Sequence, residues 1–368
     1  MLYAHGRAKE HRVVRGPWPA RITPLENETL SSWLVRASLA NFSSPSEVAN
    51  YIWPGWRAWT RDIDRGLTSE RLRALQQVSG LTEQTLKNIF LRPLIESLTC
   101  ESQLHETAPW PWVIQRSTRN KNTTRSTQFC PLCFREDVKP YLKRQWRLSF
   151  VTVCTEHNVN LYDNCPHCGA SVEIHKITRG KLKSCVHCRW DVSDTQPTLS
   201  NNNLLKVTQS LQQHAFNNQP NSADNFIRLR YLISLVRRLA TQTTIPKSAL
   251  SLLKSDEKQL YALNDFSSLA FDWLCIDDRR SLMQIVSHLM PMTSCQLAFS
   301  LLKSGIPLSI LNHCSTKIPA ELEGYFPDKR QLTTRSSCAT QKPTKKLPSK
   351  RAVERRWQDF LIKHGLNK

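Results

Sequence analysis

Cys130-Pro131-Leu132-Cys133, Cys154-Thr155-Glu156-His157, Cys165-Pro166-His167-Cys168 and Cys185-Val186-His187-Cys188 follow one another in the middle of the chain. Each four-residue loop offers two ligands at the spacing that lets both reach one tetrahedral Zn2+. The second loop of each pair starts 21 or 17 residues after the first ends, within the range of a zinc ribbon or knuckle. One such pair could be chance; four loops in 59 residues are a strong signal. Two structural zinc sites are expected, one from Cys130, Cys133, Cys154 and His157, the other from Cys165, Cys168, Cys185 and Cys188. Two closed tetrahedral sets leave no open coordination position, which argues for structural rather than catalytic metal. A cross-braced pairing, first loop with third and second with fourth, is the alternative. The stretch Val172 to Ile177, with a turn at Gly180, predicts a hairpin between the loops of the second site and favours sequential pairing. His167 and His187 lie inside their turns and read as exposed neighbours. His175 falls on the strand face opposite Val172 and Ile174 and reads as a surface residue. Cys100, Cys275, Cys295, Cys314 and Cys338 are scattered and read as isolated thiols.

Clustered cysteines could instead form a disulfide framework, which needs an oxidising compartment. Met1 to Gly16 carries His and Arg but no apolar core, so it does not read as a secretory signal. No apolar stretch approaches the roughly 18 residues of a membrane span. The expected location is cytoplasmic, with reduced thiols and metal.

The 368 residues can form two or three domains with substantial cores. Only 10 glycines are present and none builds a phosphate-cradling loop. The net charge of +21 is unevenly placed. Residues 1–114 carry +2 and residues 191–328 carry none, whereas 115–190 carry +9 and 329–368 carry +10. Local concentration of this kind marks a footprint for polyanions, nucleic acid first among them.

The expected fold is mainly α with a small central zinc-ribbon β module. Four segments are expected: an amino-terminal helical domain over 1–114, a tandem zinc module over 115–192, a helical domain over 193–328 and a basic flexible tail over 329–368. In the first segment, Leu30, Trp33, Leu34 and Ala37 share a helical face. Ser44-Pro45-Ser46-Glu47 is a capping box with Pro at the first helical position. A helix from Thr68 through Leu72, Leu75 and Val78 stops at Gly80, and Thr82 opens another with Leu86, Ile89 and Phe90. That pair has the outline of a helix-turn-helix, with DNA reading and plain core packing both open. Trp53, Trp56, Trp59, Trp110 and Trp112 read as core or interface. In the zinc segment, Gln115 to Arg125 reads as a loop and Trp146 to Val153 as a strand. Trp146, Leu148, Val151 and Val153 read as nearly all its apolar material. Ser193 to Asn203 reads as a linker. Helices are then expected at Phe226 to Leu239, Ala249–Leu253, Ser281–Leu289 and Leu297–Leu302. Past Lys329 the composition is that of a disordered basic arm, ending in a short helix bearing Val353, Trp357, Phe360 and Leu361.

Cys130 to Cys133, Tyr141-Leu142-Lys143-Arg144-Gln145-Trp146-Arg147-Leu148, Val153-Cys154-Thr155-Glu156-His157-Asn158 and Leu161-Tyr162-Asp163-Asn164 running into Cys165 to Gly169 closely resemble the TniQ family. These are target-selection proteins of Tn7-like and Tn5053-like transposons, related to TnsD. Pro17, Pro19 and Pro24, followed by Glu28-Thr29-Leu30-Ser31-Ser32-Trp33-Leu34, fit the opening of that family. The resemblance covers about 17–190. It implies a non-catalytic adaptor that links a target, read as DNA sequence or through a Cascade-type CRISPR effector complex with guide RNA, to a TnsC- or TniB-like AAA+ ATPase and the transposase. The eight ligands named above carry over. A Trp-rich amino-terminal face also makes a homodimer an expectation.

Two other classes compete. A nuclease or transposase would need convergent carboxylates holding metals about 4 Å apart. Asp62, Asp64, Asp277 and Asp278 lie on polar stretches that read as solvated faces instead. A zinc-containing transcription regulator shares the charge pattern but wants a convincing base-reading helix.

Overall fold

Side chains that close helix ends set out the amino-terminal region. Thr29 accepts a hydrogen bond from the Ser32 amide at 3.2 Å and starts α1, Leu30–Ala40. Ser44 and Glu47 form the reciprocal capping box of α2, Pro45–Ile52. Thr68 caps α3, Ser69–Ser79, which ends where Gly80 takes φ 70°. Glycine reaches this left-handed conformation without a Cβ penalty. Thr82 caps α4, Glu83–Asn88, and α5 spans Arg92–Leu98. The apolar faces of α1 to α4 meet in one buried cluster that includes Trp33, Ile52, Trp53, Leu75 and Leu86. Trp56 and Trp59 pack on its edge. α4 is shorter than expected, with Ile89 and Phe90 entering the core from the turn that follows it.

The computed structural model describes residues 16–99, 104–105, 108–115, 127–177, 182–217, 222–263, 269–312 and 318–326. The basic tail with Trp357 and Phe360, the Gly180 turn, most of the Gln115 to Arg125 loop, and Cys100, Cys314 and Cys338 lie outside these residues.

The central segment is short elements: α6 (Pro131–Glu136), a 3-10 turn at Arg144–Arg147, β1 (Val153–Cys154), β2 (Val159–Asn160), and 3-10 turns at Ile174–Lys176 and Val192–Asp194. β1 and β2 pair antiparallel, Val153 with Asn160 and Cys154 with Val159. Of the expected strand from Trp146 to Val153, only Val153 lies in a strand, at the start of β1. Every residue from Trp146 to Cys154 is buried, so the run has no solvated face to alternate with. Its backbone instead closes turns, Trp146 to Lys143, Leu148 to Gln145 and Val151 to Leu148, each at 3.1 Å. The expected Val172–Ile177 hairpin strand is likewise replaced by the Ile174–Lys176 turn.

Helices follow at α7 (Asn202–Phe216), α8 (Ser222–Ala240), α9 (Lys247–Leu253), α10 (Glu257–Ala262), α11 (Ile276–Val286), α12 (Ser294–Lys303), α13 (Leu308–Asn312) and α14 (Ala320–Glu323). α8 lies at their centre, against α5, α7, α10, α11 and α13. Its Phe226, Leu229, Leu232, Val236 and Leu239 share one buried cluster with Phe129, Phe134, Phe150 and Leu161 of the central segment. That segment thus holds far more apolar material than its sequence suggested, and its core is continuous with the helices after it.

Polar contacts clasp α1 to the central segment. The Thr29 amide donates to the Leu142 carbonyl, and the Leu142 amide donates to Ser32 Oγ, both at 2.9 Å. Glu28 is fully buried and accepts from Arg36 at 2.6 and 2.8 Å, Ser32 Oγ at 2.8 Å and the Leu25 amide at 2.9 Å. Arg147 reaches Asp62 at 2.7 and 3.0 Å and Asp64 at 2.5 Å, while Asp64 also accepts from the amide and hydroxyl of Ser31. Asp62 and Asp64 were expected on a solvated face; Asp64 is instead buried and Asp62 half-buried, both paired with an arginine more than 80 residues away.

Candidate metal centres

Three of the four ligand loops have one backbone design. In each, the amide of the residue after the second ligand donates to the carbonyl of the first ligand: Asn158 to Cys154 at 2.9 Å, Gly169 to Cys165 at 2.8 Å and Arg189 to Cys185 at 3.0 Å. Those three donors have positive φ, 57°, 71° and 66°. The residue before the first ligand bridges antiparallel to the residue after the turn: Val153 with Asn160, Asn164 with Ser171, and Ser184 with Asp191. Each loop is therefore the tip of its own minimal hairpin, with both ligands projecting from the turn. The fourth loop uses a helix start. Cys130 is the N-cap of α6, Pro131 takes the first helical position, and Cys133 follows within the first turn.

The loops meet in sequence-adjacent pairs. Cys130, Cys133, Cys154 and His157 form one group and Cys165, Cys168, Cys185 and Cys188 the other, with all ligand atoms of a group within 4.8 Å of one another. The cross-braced alternative is not what the chain adopts. In site one, Cys133 Sγ lies 3.7 Å from Cys154 Sγ and 3.3 Å from His157 Nδ1. In site two, Cys165 to Cys188 is 3.7 Å and Cys168 to Cys185 is 3.8 Å. A tetrahedral ion with metal–sulfur bonds of about 2.3 Å sets sulfur–sulfur edges of about 3.8 Å. The donor sets therefore fit a metal ion without rearrangement. Packed this closely, the thiols cannot ionise alike. Hydrogen bonds from Cys130 and Cys133 hold Cys154 well below the ordinary thiol range, whereas hydrogen bonding to Cys130 and Cys154, with burial, pushes Cys133 above it.

Site one is interior and site two peripheral. Cys130, Cys133 and Cys154 are buried, while Cys168 is exposed and Cys188 partly so. Around site one stand residues that spacing alone did not single out. His157 Nε2 faces Glu136 Oε2 at 2.8 Å, which turns Nδ1 toward the thiols. Lys143 Nζ sits 3.7 Å from Cys133 Sγ and 2.5 Å from Glu156. Arg135 donates to the Ser193 carbonyl at 2.6 and 3.0 Å, tying α6 to the chain beyond site two. His167 and His187 are exposed as expected, His167 stacked on Trp190 and His187 3.0 Å from Glu173. His175 departs from expectation: it is half-buried and stacks on Trp59 at 5.6 Å, joining site two to the amino-terminal helices. Cys275 and Cys295 join neither group.

The TniQ family model matches residues 19–161. This segment is a TniQ domain. It begins just before the Glu28–Arg36 clasp and ends at Leu161, so it takes in α1 to α6 and all of site one and stops short of site two. No curated protein matches the chain. A TniQ domain implies a role in target selection for transposition. In this chain the Glu28-to-Leu34 motif is structural, since Glu28, Ser31 and Ser32 supply the acceptors and donors that dock α1 on the central segment.

Proposed function

We propose that this chain is a non-catalytic target-site selector for DNA transposition. It would link a recognised target, read as DNA sequence or through an RNA-guided CRISPR effector complex, to an AAA+ ATPase regulator and the transposase. The observation that carries this reading is the TniQ domain over 19–161. The chemistry of the sites supports it. Each four-donor set is complete, so a bound ion would have no position for an activated water. Arg147 holds both Asp62 and Asp64, which takes away the carboxylate pair that a metal nuclease built on this segment would use.

Both sites are proposed to hold zinc. Three thiolates and a neutral imidazole suit Zn2+ at site one, with Lys143 against the residual negative charge, and four thiolates suit it at site two. Bound zinc would hold the thiolates ionised together and lock the loops. The basic tail over 329–368, with 12 basic and 2 acidic residues, is proposed to bind nucleic acid without sequence preference. Removing it is expected to flatten the slope of log K against log salt by several units, since each phosphate contact contributes about 0.9. An unchanged slope would reassign the tail to a protein partner.

The test of function is insertion in cells supplied with every other transposition component. Deleting this protein is expected to abolish or scatter insertions while the isolated transposase keeps its strand-cutting activity. If the purified protein cleaves DNA by itself, and Asp-to-Ala changes remove that cleavage, the adaptor reading is wrong.

A further inference from the structure

A cleft of 640 Å3 opens on the amino-terminal helices, lined by Trp56, Arg61, Arg65, Arg71, Arg92 and Trp110. Its electrostatics are one-sided. Asp62 is the one carboxylate among the lining residues; Arg147 binds it at 2.7 and 3.0 Å and Arg65 pairs with it at 3.6 Å. Arg92 shares a 3.4 Å contact with Glu96, exposed outside the cleft. Four guanidinium groups thus line one concavity, and among the described residues two of them, Arg61 and Arg71, have no carboxylate partner. Mutual repulsion is felt there: the Arg65 guanidinium is held below its ordinary range by burial first, then, against the pull of Asp62, by the charges of Arg147 and Arg92.

The arginines are also oriented. Arg71 lies over the Trp56 ring at 4.2 Å, and Trp56 meets Trp53 edge to face at 5.1 Å. Arg65 and Arg92 both lie over the Trp110 ring at 4.9 Å. Arg65 further donates to the Ala108 carbonyl and to Gln115 Oε1, each at 2.8 Å. Stacking on an indole fixes the plane of the Arg71 guanidinium with its donor edge toward the cleft, the arrangement that suits bidentate binding of phosphate oxygens, whereas Arg65 spends donors on the protein and contributes mainly charge. Trp110 is buried beneath its two arginines, so the cleft offers charge and donors rather than an open ring on which a base could stack. The first turn of α3, at Thr68 and Ser69, also lines it.

We propose that this cleft binds the phosphodiester backbone of duplex DNA. The proposal rests on the target-selection reading for the choice of DNA as the polyanion. The site itself differs from the metal loops and from the basic tail, where the sequence placed nearly all the excess charge.

The test uses the full-length chain and a random-sequence DNA duplex, with the dissociation constant measured by fluorescence anisotropy over a salt series. Arg61→Ala combined with Arg71→Ala is the informative variant, because neither guanidinium is tied to a carboxylate or carbonyl as Arg65 and Arg92 are. Loss of two phosphate contacts is expected to lower the salt slope by about two units and to weaken binding at low salt. Arg61→Lys with Arg71→Lys keeps the charge and is expected to restore most of the slope. Arg73→Ala, exposed on α3 and outside the cleft, is expected to change it by much less. Thermal melting checks that each variant is folded. A folded double-alanine variant with the wild-type slope would overturn the proposal, as would a fall no larger than that of Arg73→Ala. The insertion assay separates the two readings: normal targeting without the protein would sink target selection but leave a cleft-dependent salt slope standing.

Discussion

Cys133→Ser is expected to cost the chain one of two zinc ions and its folded state with it. Its sulfur lies 3.7 Å from Cys154 Sγ and 3.3 Å from His157 Nδ1 in a site whose three cysteines are all buried. The same turn of α6 carries Phe134, stacked on Phe129 at 5.5 Å. Metal in a finger-sized site is worth on the order of 10 kcal/mol of folding free energy. A domain's whole stability is about 5–15 kcal/mol, so losing the ion alone approaches that total. Cys168→Ser is expected to behave differently. It too should lose one zinc, but Cys168 is exposed at the periphery, and the continuous core through α8 does not depend on it. Elemental analysis should therefore read about two zinc ions per wild-type chain and about one for Cys168→Ser, the latter still soluble and melting cooperatively. Cys133→Ser should be poorly soluble. Well-folded wild-type protein with one zinc or fewer would refute the assignment of two zinc ions per chain. A cooperatively folded Cys133→Ser would show that the core sustains site one without metal.

What could be read along the chain was whatever depends on residues a few positions apart. Ligand spacing, the capping box at Ser44 and the left-handed stop at Gly80 are all of this kind. The sequential pairing of the loops was expected, but for a wrong reason. The hairpins are not strands between ligand loops; the loops are themselves the hairpin tips. The trace of this was a residue tolerant of positive φ just after the second ligand. Asn158 and Gly169 carry that signal, and Arg189 hides it. Trp146 to Val153 has the composition of a strand, yet β-propensity expresses fit to a half-buried pleated surface, and this run is buried throughout, with only Val153 in a strand. The clasp residues were illegible for another reason. Asp62 and Asp64 look solvated because their partner, Arg147, lies 85 and 83 residues away. Arg61, Arg65, Arg71 and Arg92 are diluted in a segment of net +2 and come together only in the folded chain, where they line one cleft.

Arg147→Met is expected to be among the most destabilising single changes in the TniQ domain, by about 3–5 kcal/mol. The side chain is 4 % exposed and satisfies two carboxylates that are 9 % and 1 % exposed. It also donates to the Ile114 carbonyl at 3.2 Å. Methionine fills much of the same volume, so the cost arises from electrostatics rather than from a cavity. Asp64 would keep its two hydrogen bonds from Ser31, whereas Asp62 would lose its closest cation and retain Arg65 at 3.6 Å. The loss should spread beyond the pair, because Asp64 joins α1 to the central segment and its carbonyl accepts from the Leu91 amide at 2.7 Å, where α5 begins. Adding Asp62→Asn and Asp64→Asn to Arg147→Met removes the stranded charges and is expected to recover part of the stability, since replacing a whole buried ionic group costs far less than breaking it. Urea denaturation of the three proteins measures this directly. Arg147→Met within about 1 kcal/mol of wild type, the range of exposed pairs, would mean that water reaches the trio and that α1 is held to the central segment by Glu28, Thr29 and Ser32 alone.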